Sequence, residues 1–146
     1  VNPALVGRTF PPTAPYLVGR EKVREFARAV FADAPLHTDP AAARALGYAD
    51  VVAPPTFAMV IQDQTLQLLL AEPDSGIELA RTIHAEQRFR YTRPIVAGDE
   101  LTASLTVSGI RAIGGNAMVT SEAEIRDAAG EHVVTATSVL VVGEAS

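Results

Sequence analysis

The segment PTFAMVIQDQTLQLLL, Pro55 to Leu70, constrains the fold of this chain more than any other stretch. Wound as a helix, its first two turns are apolar on every side, so the helix must be wrapped by protein rather than lie on a surface. Glu72-Pro73 stops it. Further along, the apolar period changes from about 3.6 to 2. Leu101, Ala103, Leu105 and Val107 alternate with Thr102, Ser104, Thr106 and Ser108, the pattern of a half-buried strand. Arg81 to Arg93 reads as a longer, more polar strand before it. Asn116 to Arg126 and Glu131 to Val142 follow, divided by turn residues at Gly114-Gly115-Asn116 and Asp127 to Gly130. Four successive strands with short turns predict an antiparallel meander, and residues 15–19 offer a fifth strand. One apolar helix with a bent antiparallel sheet predicts the α+β class, the sheet curled around the helix. A separate helix packed on a flat sheet gives nearly the same pattern.

Upstream, Val23, Phe26, Ala27 and Val30 fall on one stripe of a helix over Glu21 to Ala32, which Pro35 ends or kinks. Asp39 is a good N-cap and Pro40 fits the first helical position. Gly47 fits a left-handed cap after Ala41 to Leu46, so a short helix is predicted there.

A length of 146 residues with no repeat, low-complexity tract or linker predicts one domain over residues 1–146. Lys and Arg number 12 against 17 Asp and Glu, a net charge of −5, so no basic field exists to hold nucleic acid. Without cysteine there is neither disulfide nor thiolate nucleophile, and His37, His84 and His132 lack the spacing of metal ligands. Gly114-Gly115 belongs to a hairpin turn rather than a phosphate loop, so neither metal nor cofactor is expected. The apolar run from Phe57 to Leu70 is interrupted by Gln62-Asp63-Gln64 and too short to span a bilayer. VNPALVGRTFPPTAP has prolines where a signal peptide has an apolar run, so a cytoplasmic location and no membrane partner are expected.

Three stretches carry a family likeness: VGREKVREFARAV, PLHTDPAAARALGYADVVAPPTF and HAEQRFRYTRPIVAGDEL, spanning most of residues 18 to 101. On them the chain resembles the MaoC-like hydratase/dehydratase family of hotdog folds. It is most similar to short actinobacterial-type subunits related to the N-terminal half of two-domain enoyl hydratases, a group that includes one partner of the mycolic-acid dehydratase heterodimers. The resemblance implies an antiparallel sheet wrapped around a long central helix. It also implies an acyl-CoA or acyl-carrier-protein thioester as ligand, and a homodimer or a heterodimer with a second hotdog subunit. Active members add water to a trans-2-enoyl thioester to give the (R)-3-hydroxyacyl product, or reverse this. Their motif, Asp-x-Asn-Pro-[Leu/Ile]-His, holds one water between acid and base. A backbone N–H at the start of the central helix steadies the thioester enolate.

Residue by residue, Pro35, Leu36 and His37 match the motif, while Ala34 stands at its asparagine and Ala32 at its aspartate. Asp33 comes one place late and serves as the acid only if the loop re-registers. Pro55 has no N–H to give, which leaves the amides of Thr56 and Phe57 at the helix start. Thr56 also fits the cap of that helix. The resemblance therefore makes His37 and Asp33 the catalytic candidates, and Pro55, Thr56 and Phe57 candidates for ligand contact. Period 2 puts His84, Glu86, Arg88 and Arg90 on one strand face, with Ala85, Gln87, Phe89 and Tyr91 on the other. Arg88, Arg90 and Arg93 are candidates for coenzyme A phosphates or an acidic carrier protein; a solvated or interface face explains them equally. Gly98-Asp99 reads as a turn, Asp39 as a cap, and Asp63 as a distant candidate for thioesterase chemistry. The leading expectation is a subunit without a complete hydratase dyad that finishes its site with a partner chain. A self-sufficient hydratase using Asp33 and His37, and an acyl-CoA-binding module without turnover, are the alternatives.

Overall fold

The computed structural model describes residues 1–143; the last three residues of the span read as one domain lie outside the described residues. Three α-helices, α1 (Arg20–Ala29), α2 (Pro40–Ala45) and α3 (Ala58–Leu70), accompany strands β1 (Tyr16–Leu17), β2 (Thr82–Tyr91), β3 (Glu100–Ile113), β4 (Asn116–Arg126) and β5 (His132–Val142). The strands form one antiparallel sheet in the order β1-β3-β4-β5-β2, and α3 packs across β3, β4 and β5. The predicted alternation in β3 holds: Leu101, Ala103, Leu105 and Val107 are all buried against α3's side of the sheet.

Only β3, β4 and β5 form the predicted meander. The strand before it, β2, skips its neighbour in sequence and pairs with β5 from Thr82↔Val142 to Tyr91↔Val134. The reason lies in the connection after it. Arg93 grips Asp99 through two hydrogen bonds of 2.8 and 3.0 Å, so residues 92–99 form a braced loop rather than a tight hairpin. That loop carries the chain to the far side of the sheet. As a result β2 lies at one edge of the sheet and the short β1, found where residues 15–19 were expected, at the other.

A bulge between His84 and Glu86 corrects a second expectation. His84 pairs with Leu140, whereas Glu86, Arg88 and Arg90 pair with Val139, Thr137 and Thr135. One extra residue inverts the facing of everything before it. His84 therefore shares the helix-side face with Gln87, Phe89 and Tyr91, and only Glu86, Arg88 and Arg90 face away.

Helix α1 ends three residues before the predicted Ala32. Phe31 then adopts φ 57°, a left-handed conformation that a bulky side chain rarely takes. The short helix α2 behaves as its sequence says: the Asp39 side chain accepts the Ala41 N–H at 2.9 Å, and Gly47 has φ 91°. The central helix begins with a 3₁₀ turn at Pro55–Phe57 before α3. The described residues of its own chain do not wrap it all round. Ala58, Ile61, Gln62, Thr65, Leu66 and Leu69 are buried, but Thr56, Asp63, Gln67 and Leu68 form an open stripe. One curled sheet covers one side of a helix, and the other side needs a different cover.

Candidate functional site

The overhang between α1 and α3 is built from short backbone ties. Pro35 opens a 3₁₀ turn that ends on His37, and the Val52 N–H returns to the Leu36 carbonyl at 2.9 Å. Ala53 N–H bonds to Ile95 O at 2.8 Å and Ala97 N–H to Val51 O at 3.0 Å, so residues 51–53 are held between the overhang and the loop after β2. Asp50 fixes this segment to α1. It accepts from Arg20 Nε and Nη2 at 2.9 and 2.6 Å and from Val51 N–H at 2.7 Å. These hydrogen bonds, from the Arg20 guanidinium first, hold its carboxyl down at about 2.

A groove of about 440 Å³ opens over this frame, with apolar walls from Leu36, Val52, Ala53, Pro55 and Pro94. His37 lines it. The His37 Nδ1 lies 2.6 Å from the Val52 carbonyl oxygen, which can only accept, so Nδ1 carries the hydrogen. In the neutral ring Nε2 then keeps its lone pair, ready to take a proton from water.

Asp33 does not join it. Asp33 is exposed and lines a different hollow, between Arg28, Phe31 and Thr38, and Ala32 lines that hollow too. Neither side chain lines the groove of His37. At the helix start, Pro55 lines the groove without an N–H to offer. Phe57 turns inward: it is fully buried, its ring stands edge-on to Phe26 at 5.3 Å, and its N–H bonds to Pro54 O at 2.9 Å. Its side chain is core, not a wall of the groove. Thr56 is exposed, and neither the 3₁₀ turn nor α3 has the side-chain cap its sequence suggested.

Arg88 and Arg90 lie on the sheet face away from α3, Arg88 paired with Glu86, and neither lines the groove. Arg93 does line it, but its guanidinium is committed to Asp99 and, at 3.1 Å, to Asp127. Asp99 is thus more than a turn residue. His132 bridges Thr92 Oγ1 at 2.6 Å and Thr135 Oγ1 at 2.7 Å. Asp63 is exposed on the open stripe of α3. Among the described residues no group of three His, Cys, Asp or Glu side chains is placed to hold a metal ion, and no helix is long and apolar enough to cross a membrane.

Sequence reasoning missed Tyr91. It lines the groove, and its hydroxyl donates to the Pro55 carbonyl oxygen. Burial pushes its phenol up to about 12, while the backbone N–H of Ala58 works the other way. The signal was available in part, because period 2 put Tyr91 on the inward face with Gln87 and Phe89.

Residues 4–136 match the family model described as "FAS1-like, dehydratase domain region". The chain belongs to the FAS1-like dehydratase-domain family. It is also 65% identical over 142 residues to a UPF0336 protein of Clavibacter michiganensis subsp. michiganensis, covering 97% of this chain and 95% of that one. The solved HadBC (3R-hydroxyacyl-ACP dehydratase) complex of Mycobacterium tuberculosis has a chain similar to this FAS1-like member. The two share 31% identity with a TM-score of 0.87, over 94% of this chain and 96% of that one. A MaoC-like dehydratase is 40% identical with a TM-score of 0.86, over 97% of this chain and 43% of the other. The curled sheet and central helix are those of the hotdog dehydratases, as the sequence resemblance implied.

Proposed function

We propose that this chain is an acyl-thioester-binding subunit of an (R)-specific hydratase or dehydratase, and that it completes its site with a second hotdog chain. One observation carries the reading: His37 sits in an apolar groove with its tautomer fixed, while Ala32 and Asp33 both lie outside that groove. A base without its acid cannot hold and split water as the family's dyad does. The groove and histidine suit a thioester; the missing carboxylate calls for one from elsewhere. Two features leave room for a partner. Among the described residues strand β2 has no neighbour on its outer side, and none covers the stripe Thr56, Asp63, Gln67, Leu68 of α3. The HadBC neighbour is a complex of two such chains.

Loss of enoyl absorbance on adding the purified chain to crotonyl-CoA tests this. Alone, the chain is expected to bind crotonyl-CoA, seen as a rise in Tm, without consuming it. Mixed with a MaoC-like chain that carries an intact Asp and His, it is expected to turn over. Turnover by the chain alone that Asp33→Asn abolishes would establish the self-sufficient hydratase instead. Binding without turnover in any mixture would leave an acyl-CoA-binding module.

A further inference from the structure

A carbonyl oxygen entering this groove meets few hydrogen-bond donors. Pro55 has no N–H, and that of Phe57 is given to Pro54 O. The Arg93 fork holds Asp99 and Asp127, and Thr92 Oγ1 is paired with His132 Nδ1. The His37 Nδ1–H points at Val52 O, and a neutral Nε2 only accepts. Among the side chains lining the groove, the hydroxyls of Tyr48 and Tyr91 and the Arg93 Nε–H remain, with the amide of Thr56 at the helix start.

Tyr91 is placed unlike the others. It closes β2 at the foot of the central helix, where its O–H meets the Pro55 carbonyl. Its phenol oxygen thus stands at the positive end of that helix. A helix-start amide would act from the same place. We infer that the Tyr91 hydroxyl is the donor that holds the ligand's thioester carbonyl in this groove, replacing the amide that Pro55 lacks. The inference rests on the acyl-thioester reading and deepens it.

The hydroxyl hydrogen swings about the Cζ–Oη bond, so it can leave Pro55 O for an arriving carbonyl while the ring stays fixed. Phe89 at 6.3 Å between ring centroids and the pairing of Tyr91 with Val134 hold that ring. The phenol, already protonated at its ordinary value and raised further by burial, is a donor throughout the neutral range.

Calorimetric titration of the full chain with butyryl-CoA and with S-butyl-CoA, its thioether without the carbonyl oxygen, tests the inference. The wild type is expected to prefer the thioester about fivefold, the worth of one hydrogen bond. Tyr91→Phe is expected to erase that preference and leave S-butyl-CoA binding unchanged, whereas Tyr48→Phe keeps it. The infrared band of bound butyryl-CoA carrying a ¹³C carbonyl should lie below its free position in the wild type and return towards it in Tyr91→Phe. A preference retained by Tyr91→Phe overturns the inference and leaves the acyl-thioester reading intact. So does a gain in thioester affinity, since the hydroxyl would then fill the place rather than serve it. If the wild type binds neither probe, the acyl-thioester reading falls and takes this inference with it. Should Tyr91→Phe fail to fold, 3-fluorotyrosine in a Tyr48→Phe chain gives the same answer: a more acidic phenol must lower the band further, and an unmoved band overturns the inference.

Discussion

His37 donates its Nδ1–H to the Val52 carbonyl across 2.6 Å, while the Val52 N–H donates to Leu36 O at 2.9 Å, so the overhang and the floor of the groove are tied in both directions. His37→Ala leaves the Val52 carbonyl without its donor. A cost of about 1–2 kcal/mol in urea unfolding is expected from losing one partner of a half-buried pair. An unchanged urea midpoint would show that this tie does not hold the overhang down.

Asp50 gives the chain a defined acid sensitivity. Its folded-state value, about 2, lies below the ordinary 3.8 because Arg20 and the Val51 N–H favour the carboxylate. A depressed value stabilises the fold fully above the ordinary value, and the contribution is lost as pH falls towards the folded one. Asp50→Asn should therefore be less stable than wild type near neutrality and converge with it below about pH 2. Denaturant midpoints measured from pH 7 downwards check this; a gap that persists at the acid end would mean that packing, not charge, is involved.

Phe31 carries a left-handed φ of 57° while 91% exposed, so the backbone strain has little burial to offset it. Phe31→Gly should raise stability by about 1 kcal/mol, the steric penalty less the extra chain entropy of glycine. The change reads out as a higher Tm. A fall would reveal that the ring is held by contacts in solution.

Under α3, Gln62 donates to Ser138 Oγ at 2.6 Å and accepts from Gln87 Nε2 at 2.8 Å, while Ser138 donates to Gln87 Oε1 at 2.7 Å. This small network is satisfied; the neighbouring Ser121, paired with Ser138 across the sheet, is not. Its hydroxyl is buried and has no partner among the described residues. Ser121→Ala should therefore stabilise by about 1 kcal/mol, whereas Gln62→Leu, which strands two partners, should cost about 2 kcal/mol. Gln62→Leu combined with Ser138→Ala is expected to cost less than the two single changes added together, because both break the same Gln62–Ser138 bond, and strict additivity of the two would argue against a coupled network.

The sequence by itself carried the local elements. Asp39, Pro40 and Gly47 bracket α2 because caps act within a turn of the residue that makes them. The alternation Leu101 to Val107 fixed which face of β3 is buried, and the motif around Pro35 to His37 identified the overhang. Tertiary structure decided what depends on contacts far apart in the chain. A braced loop, not a hairpin, sends β2 to the edge beyond β5, and one bulged residue moves His84 across the sheet. Phe57 is taken into the core by Phe26, and Arg93 is consumed by Asp99 and Asp127. Tyr91 reaches the helix start at Pro55, 36 positions away, only because the sheet closes around α3. Periodicity reports which face a side chain takes; which atoms it meets is set when distant segments pack, and no local pattern records that.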